Sequence, residues 1–220
     1  MNQHWLDNEQ LAFGYAGQVY RYNLRDGEKQ PLAPLLGQGW SAANFFRVAP
    51  DGKRVAYVDG EGRLLVKDFA LDQATYIGWD VTELSWGAGM SWRPDSQQLL
   101  YTARNSTTLP DQPEVWLWDR ATFGATLLAR LGDGFLGAHA NSIQLGKACW
   151  LNDTTVLFVV SILGEQDDVH LLAARTTDRL LWDVTPPDKI FSSEVTCANG
   201  YVAVNLDRTT LAVYQVEVVP

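Results

Sequence analysis

Basic residues are in short supply: 17 Lys and Arg stand against 26 Asp and Glu, a formal charge of −9, and no stretch collects the cations. A phosphate backbone needs such a stripe, so nucleic acid is not an expected partner. Long apolar runs are missing too. None approaches the ~18 to 20 residues that cross a bilayer, and the opening MNQHWLDNEQLAF has neither a basic n-region nor an apolar h-region. No membrane insertion is expected, and the cytoplasm is the expected location; a mature exported chain whose leader had been removed would read the same. Cysteine is nearly absent. Cys149 and Cys197 are too few for a disulfide framework, and neither lies in CxxC or Cys/His ligand spacing, which favours a reducing compartment. The three histidines, His4, His139 and His170, are scattered, so neither a metal site nor a cofactor is expected. No GxSxG elbow, GxxxxGK[ST] loop or HExxH occurs, and no catalytic residue is assigned. No apolar stripe of period 3.6 supports a long helix.

What the chain does contain is a repeat. With 46% hydrophobic and 20% charged residues over 220 positions, it has the composition of a globular domain with a substantial core. Aligned on the apolar triplet after each turn, it reads WLDNEQLAF, VAPDGKRVAY, WRPDSQQLLY, WLNDTTVLF and TCANGYVAV. The equivalent positions Phe13, Tyr57, Tyr101, Phe158 and Val204 are spaced by 44, 44, 57 and 46 residues. Each unit carries strand chemistry: a first strand, a tight turn built on Asp or Asn with Gly, and a second strand such as RVAYVD or TVLFVV rich in β-branched and aromatic residues. A third strand follows, such as RLLVKDF or EVWLWDR, and in four units a short fourth. Repeats of this period made of four antiparallel strands bury their faces only against their neighbours, as propeller blades do. The expected fold is therefore all-β: one domain over residues 1–220, a single β-propeller of five blades. Its units are approximately 1–35, 43–79, 87–130, 145–185 and 190–220, with first strands near 2–6, 43–49, 87–93, 145–151 and 190–197 lining the axis. The last blade is incomplete.

The stretch APDGKRVAYV followed by LLVKDF resembles the PD-type repeat of TolB-like β-propellers. Trp92-Arg93-Pro94-Asp95 of the next unit is similar, with Ser96 where that repeat has Gly, and Trp118-Asp119 is similar to the WD-repeat propellers. The resemblance implies a propeller fold used as a partner-binding scaffold, a sensor, or a gating domain beside a hydrolase. It carries no universal catalytic residue, and fold alone does not assign function.

The meander topology adds a functional expectation. Connections from second to third strand, and from one unit to the next, emerge on one face of the ring; the PDG turns emerge on the other. Extra length collects on the first face, at 35–45, 78–90, 105–113 and 129–147, carrying Trp40, Trp79, Trp86, Phe135, His139 and Asn141. Loops beyond the minimum tend to be functional, and aromatic side chains suit recognition. Two classes stand: a non-catalytic scaffold that docks a protein partner on this face within a larger assembly, and a small-ligand or glycan-binding propeller, with a glycosidase-like carboxylate pair as its catalytic extreme. The first is preferred. Trp5, Trp92, Trp150 and either Trp116 or Trp118 are expected between blades, and Asp51, Asp95 and Asp153 as turn formers. A further expectation concerns the last unit, whose third strand TLAVYQV would leave Leu211, Val213 and Gln215 on an open edge available for strand pairing by another chain or a second copy. Cys149 and Cys197 are expected as free thiols, because stacked sheets lie ~10 Å apart and disulfides reach only ~7 Å between Cα atoms.

Overall fold

The structure, a computed structural model, describes residues 3–6, 8–15, 18–34, 46–58, 63–71, 73–78, 89–105, 112–132, 134–139, 142–164, 168–186, 195–198, 200–206 and 210–216. Regular structure in these residues is β-strand, apart from one 3-10 turn at Phe135–Gly137. The strands form five sheets, each a consecutive antiparallel meander. Blade one is β1 (Gln3–Trp5), β2 (Gln10–Tyr15), β3 (Gln18–Asn23) and β4 (Lys29–Pro34). Blade two is β5 (Phe46–Val48), β6 (Arg54–Val58), β7 (Leu64–Asp68) and β8 (Gln73–Gly78). Blade three is β9 (Met90–Trp92), β10 (Gln98–Asn105), β11 (Gln112–Asp119) and β12 (Gly124–Arg130). Blade four is β13 (Ile143–Trp150), β14 (Thr155–Ile162), β15 (Asp168–Arg175) and β16 (Leu181–Asp183). Blade five has three strands, β17 (Val195–Ala198), β18 (Tyr201–Asn205) and β19 (Leu211–Gln215). The expected all-β, five-bladed propeller with an incomplete last blade is what the chain forms.

Hairpin turns are set by side chains that hydrogen-bond their own backbone. The Asp51 carboxylate accepts the Lys53 amide at 3.0 Å, and that of Asp95 accepts the Gln97 amide at 2.9 Å. Gly52 takes a left-handed φ of 67°, and Ser96 holds the same region at 62°, a cost for a residue with a Cβ. Ser96 has a compensation: its buried hydroxyl accepts the Asp51 amide of the neighbouring blade at 2.9 Å. In blade four the expected turn former, Asp153, is not the residue that closes the turn. Asn152 accepts the amides of Thr154 at 2.9 Å and Thr155 at 2.8 Å, because its side chain sits one position earlier, where the carbonyl oxygen can reach both.

Four apolar cores lie between successive blades. Ala12 and Val19 pack with Phe46, Val48, Val55 and Tyr57; Val58, Leu64 and Val66 pack with Met90, Trp92 and Tyr101. Leu100, Val115 and Leu117 meet Trp150, Val156 and Phe158, and Leu157, Leu171 and Ala173 meet Val195, Val202 and Val204. Burial of each Val, Leu, Phe or Met among them stabilises by ~1.5 to 3 kcal/mol. Strand alternation explains the division: odd and even positions of one strand serve opposite neighbours. The third and fourth strands of blades one, two and three also share a register shift at equivalent points, after Val19, Leu64 and Val115, a bulge that increases local twist.

The innermost strands are joined by a repeating link. Trp92 donates its indole N–H to the carbonyl of Arg47 in the preceding blade at 2.9 Å, and Trp150 donates to that of Ser91 at 3.0 Å. An arginine of the preceding blade lies over each ring, Arg54 at 5.8 Å from the Trp92 centroid and Arg93 at 5.9 Å from that of Trp150. Strand pairing makes Trp92, Trp150 and Cys197 equivalent, and likewise Arg47, Ser91 and Cys149. At the next interface the same two positions are bonded covalently: Cys149 and Cys197 form a disulfide with Cα atoms 5.6 Å apart. This corrects the expectation of free thiols. The ~10 Å spacing holds where sheets stack face to face, but blades converge on the axis and their first strands approach far more closely. Trp5 is a second correction. It holds the same register as Trp92 and Trp150 yet is exposed rather than interleaved, since it lies on the face of blade one opposite to Ala12 and Val19, which pack on blade two.

Candidate interaction face

Antiparallel alternation sends β2, β6, β10, β14 and β18 toward the face from which β3, β7, β11, β15 and β19 return, and the fourth strands end there as well. The strand ends that flank 35–45, 79–88 and 106–111 therefore belong to one face. Trp40, Trp79, Trp86 and Asn141 lie outside the described residues. Phe135 and His139 are described, and they differ. The Phe135 ring packs against the core between blades three and four, while His139 is exposed. The turn that carries them is closely bonded: Gly134 N–H to Ala138 O at 2.8 Å, Ala138 N–H to Phe135 O at 3.0 Å, and the Ser142 amide and hydroxyl to His139 O at 2.9 and 2.8 Å. Gly134 at φ 84° and Gly137 at φ 76° permit this path, and between them Leu136 is held at φ 50° with its side chain outward. The turn thus presents Leu136 and His139 on a fixed backbone and uses Phe135 as its anchor.

Two polar groups at the same end of the blades were not singled out from the sequence. On blade three the buried carboxylate of Glu114 accepts the Trp116 indole N–H at 2.9 Å and the Arg130 Nε at 2.7 Å. Trp116 stacks on Tyr101 with ring centroids 6.5 Å apart, and the Tyr101 hydroxyl donates to the Ile77 carbonyl at 3.1 Å. Burial pushes the Tyr101 phenol well above its usual range, reinforced by Tyr76 and Glu114. On blade four His170 lies between two carboxylates, Nε2 3.1 Å from Asp168 and Nδ1 3.1 Å from Asp183. Desolvation pushes the Asp183 carboxyl up, but hydrogen bonds from the Thr185 hydroxyl and amide and from His170 outweigh it and leave the group below its ordinary value. The signal for this cluster was the DxH spacing in β15, since residues two apart on a strand share a face. Among the described residues no group of three or more His, Cys, Asp or Glu is arranged to hold a metal ion, and no helix is long and apolar enough to cross a membrane. The expected edge residues Leu211, Val213 and Gln215 lie on β19, exposed, and among the described residues β19 pairs with β18 alone.

No protein-family model and no curated protein sequence matches the chain. Solved structures do match in shape. TolB from Acinetobacter baumannii superposes with a TM-score of 0.55 at 13% identity, over 93% of this chain and 49% of that one. The β-propeller domain of Myceliophteria thermophila Cps50 (Swd1) gives 0.62 at 11% identity, over 96% of this chain and 68% of that one. The fold is that of TolB-like and WD-repeat-related propellers. The acylaminoacyl peptidase of Pyrococcus horikoshii also matches, with a TM-score of 0.58 at 12% identity over 98% of this chain and 38% of that one. This propeller thus spans about half of the TolB chain and about two fifths of the peptidase. At these identities the likeness concerns fold alone.

Proposed function

We propose that this propeller is a non-catalytic scaffold that docks a protein partner on its loop-rich face, as a subunit of a larger assembly. What supports the reading is that the sequence segments with extra length and aromatic residues join strand ends on that one face, while the opposite ends of the blades are closed by short Asp- and Asn-capped turns. Trp40, Trp79 and Trp86 supply the large contact surfaces that dominate protein interfaces, and the anchored Gly134–Ala138 turn offers Leu136 and His139 at little ordering cost. The Cys149–Cys197 bond favours the exported alternative over the cytoplasm, because disulfides persist in oxidising compartments. The test is capture of partners from the native host by the tagged propeller and by its Trp40→Ala/Trp79→Ala/Trp86→Ala variant. Loss of capture with an unchanged circular-dichroism spectrum and melting temperature supports the reading. Equal capture refutes it, and tight binding of a member of a glycan panel in titration calorimetry would favour the small-ligand reading instead.

A further inference from the structure

Among the described residues, blades two, three and four bury side chains on both faces, whereas the outer faces of blade one and blade five carry the exposed Trp5 and Tyr15 and the exposed Tyr201, Leu211 and Val213. On third strands the forward-facing pairs Leu64 and Val66, Val115 and Leu117, and Leu171 and Ala173 are buried against the next blade. Their equivalents on blade five, Leu211 and Val213, are 62% and 61% exposed. Trp92 and Trp150 are 7% and 5% exposed under the preceding blade, whereas Trp5 is 67% exposed. Around Trp5 the same face of blade one carries Leu11, Phe13, Tyr15 and Tyr20, with the Lys29 ammonium 3.8 Å from the Tyr20 ring centroid.

The two bare faces are complementary by the rule that joins the other blades. Each inner-strand Trp docks on the carbonyl one residue before the equivalent position of the preceding blade, Trp92 on Arg47 and Trp150 on Ser91. Applied once more, the rule pairs Trp5 with Thr196, which strand register makes the equivalent of Cys149. Both partners exist in one chain, yet they are not brought together within it. Charge agrees. In a chain of net charge −9, the blade-five face of Thr196, Tyr201, Ala203, Asn205, Leu211 and Val213 carries no ionisable side chain except the Tyr201 phenol, and the blade-one face carries the single cation Lys29 over its aromatic rings. Bare apolar sheet faces of this kind mark interaction sites.

We infer that blade five of one chain packs its outer face on the outer face of blade one of a second copy, head to tail, with Trp5 of one copy on the Thr196 carbonyl of the other. This surface lies at the side of the ring and is separate from the loop-rich face, and it uses side-chain packing rather than strand addition at the β19 edge. Heterologous contacts of this type close into rings or extend as filaments.

The native disulfide supplies the test, because Cys149 and Cys197 already bridge this register between blades four and five. In the full chain with Trp5→Cys and Thr196→Cys, mild oxidation should give covalent species at multiples of the chain mass on a non-reducing gel. A faster-migrating monomer would mean that the ring closes on itself, and no new bond would mean that the faces do not meet; either result overturns the inference. Sedimentation gives an independent check. Wild type should self-associate, Val213→Asp and Tyr15→Asp should each be monomeric, and their equimolar mixture should recover a dimer, since each variant keeps one intact face. A monomeric wild type, or a mixture that stays monomeric, overturns it as well.

Discussion

Removing the axial disulfide by Cys149→Ala and Cys197→Ala should destabilise the propeller substantially without changing its fold. The bond joins residues 48 apart in sequence. For a loop of that size, constraining the unfolded chain stabilises the native state by about 4 kcal/mol at 25 °C in the chain-entropy treatment, and about 2 to 4 kcal/mol is the usual observed range. Alanine is the right replacement, since Cys149 is buried beside Leu151, Leu157 and Val195, where a serine hydroxyl would add an unpaired polar group. Urea unfolding followed by tryptophan fluorescence reads the effect directly. With a slope of about 2 to 3 kcal/mol/M, the midpoint should fall by roughly 1 to 2 M, and reduction of the wild type should reproduce the shift. Two thiols titrating with Ellman's reagent in denaturant without reductant, or a midpoint that ignores both perturbations, would refute the bridging of blades four and five.

Other consequences follow from single links. Trp150→Phe keeps most of the buried ring but removes the indole donor from the Ser91 carbonyl, so a loss of about 1 to 3 kcal/mol is expected in denaturant titrations, against about 3 to 5 kcal/mol for Trp150→Ala. Arg130→Ala removes one partner of the buried Glu114 carboxylate; with Arg130 half exposed, the loss should be about 1 to 3 kcal/mol and should shrink when Glu114→Gln is added, as a double-mutant cycle would register. Asp95 is held below its usual value first by the Arg93 guanidinium, and Asp119 first by the Gln98 amide. Groups depressed in this way contribute stability that is complete above the unfolded value of about 3.9 and lost as pH falls through the folded value. The melting temperature should therefore decline below about pH 4, with a smaller decline in Asp95→Asn; an identical acid profile in that variant would contradict the assignment.

The blade plan was legible because each hairpin is locally encoded. APDGKRVAYV states its turn and its strand within ten residues, and strands from RVAYVD to TLAVYQV fall where runs of β-branched and aromatic residues place them. Relations between blades were harder to read. Cys149 and Cys197 differ by one register position, which looks like a mismatch until the Trp92–Arg47 and Trp150–Ser91 links show that neighbouring inner strands meet at that offset. Trp5 has the local sequence of a docked tryptophan, but docking depends on what stands beside blade one, and local sequence does not contain that. Glu114 shares a face with Trp116 and lies opposite Arg130, yet strand alternation alone reads such a residue as solvent-facing. Of the candidate face, Phe135 shows the same limit: an aromatic in a loop serves equally as a contact or as the anchor that fixes the loop, and here it is the anchor.

Hydrogen–deuterium exchange of the propeller alone and saturated with its captured partner tests the central claim most directly. Protection is predicted in peptides covering 35–45, 79–88, 106–111 and 131–142, which connect strand ends on the loop-rich face. Protection confined to the opposite turns at 49–54, 93–98 and 151–155 would contradict it.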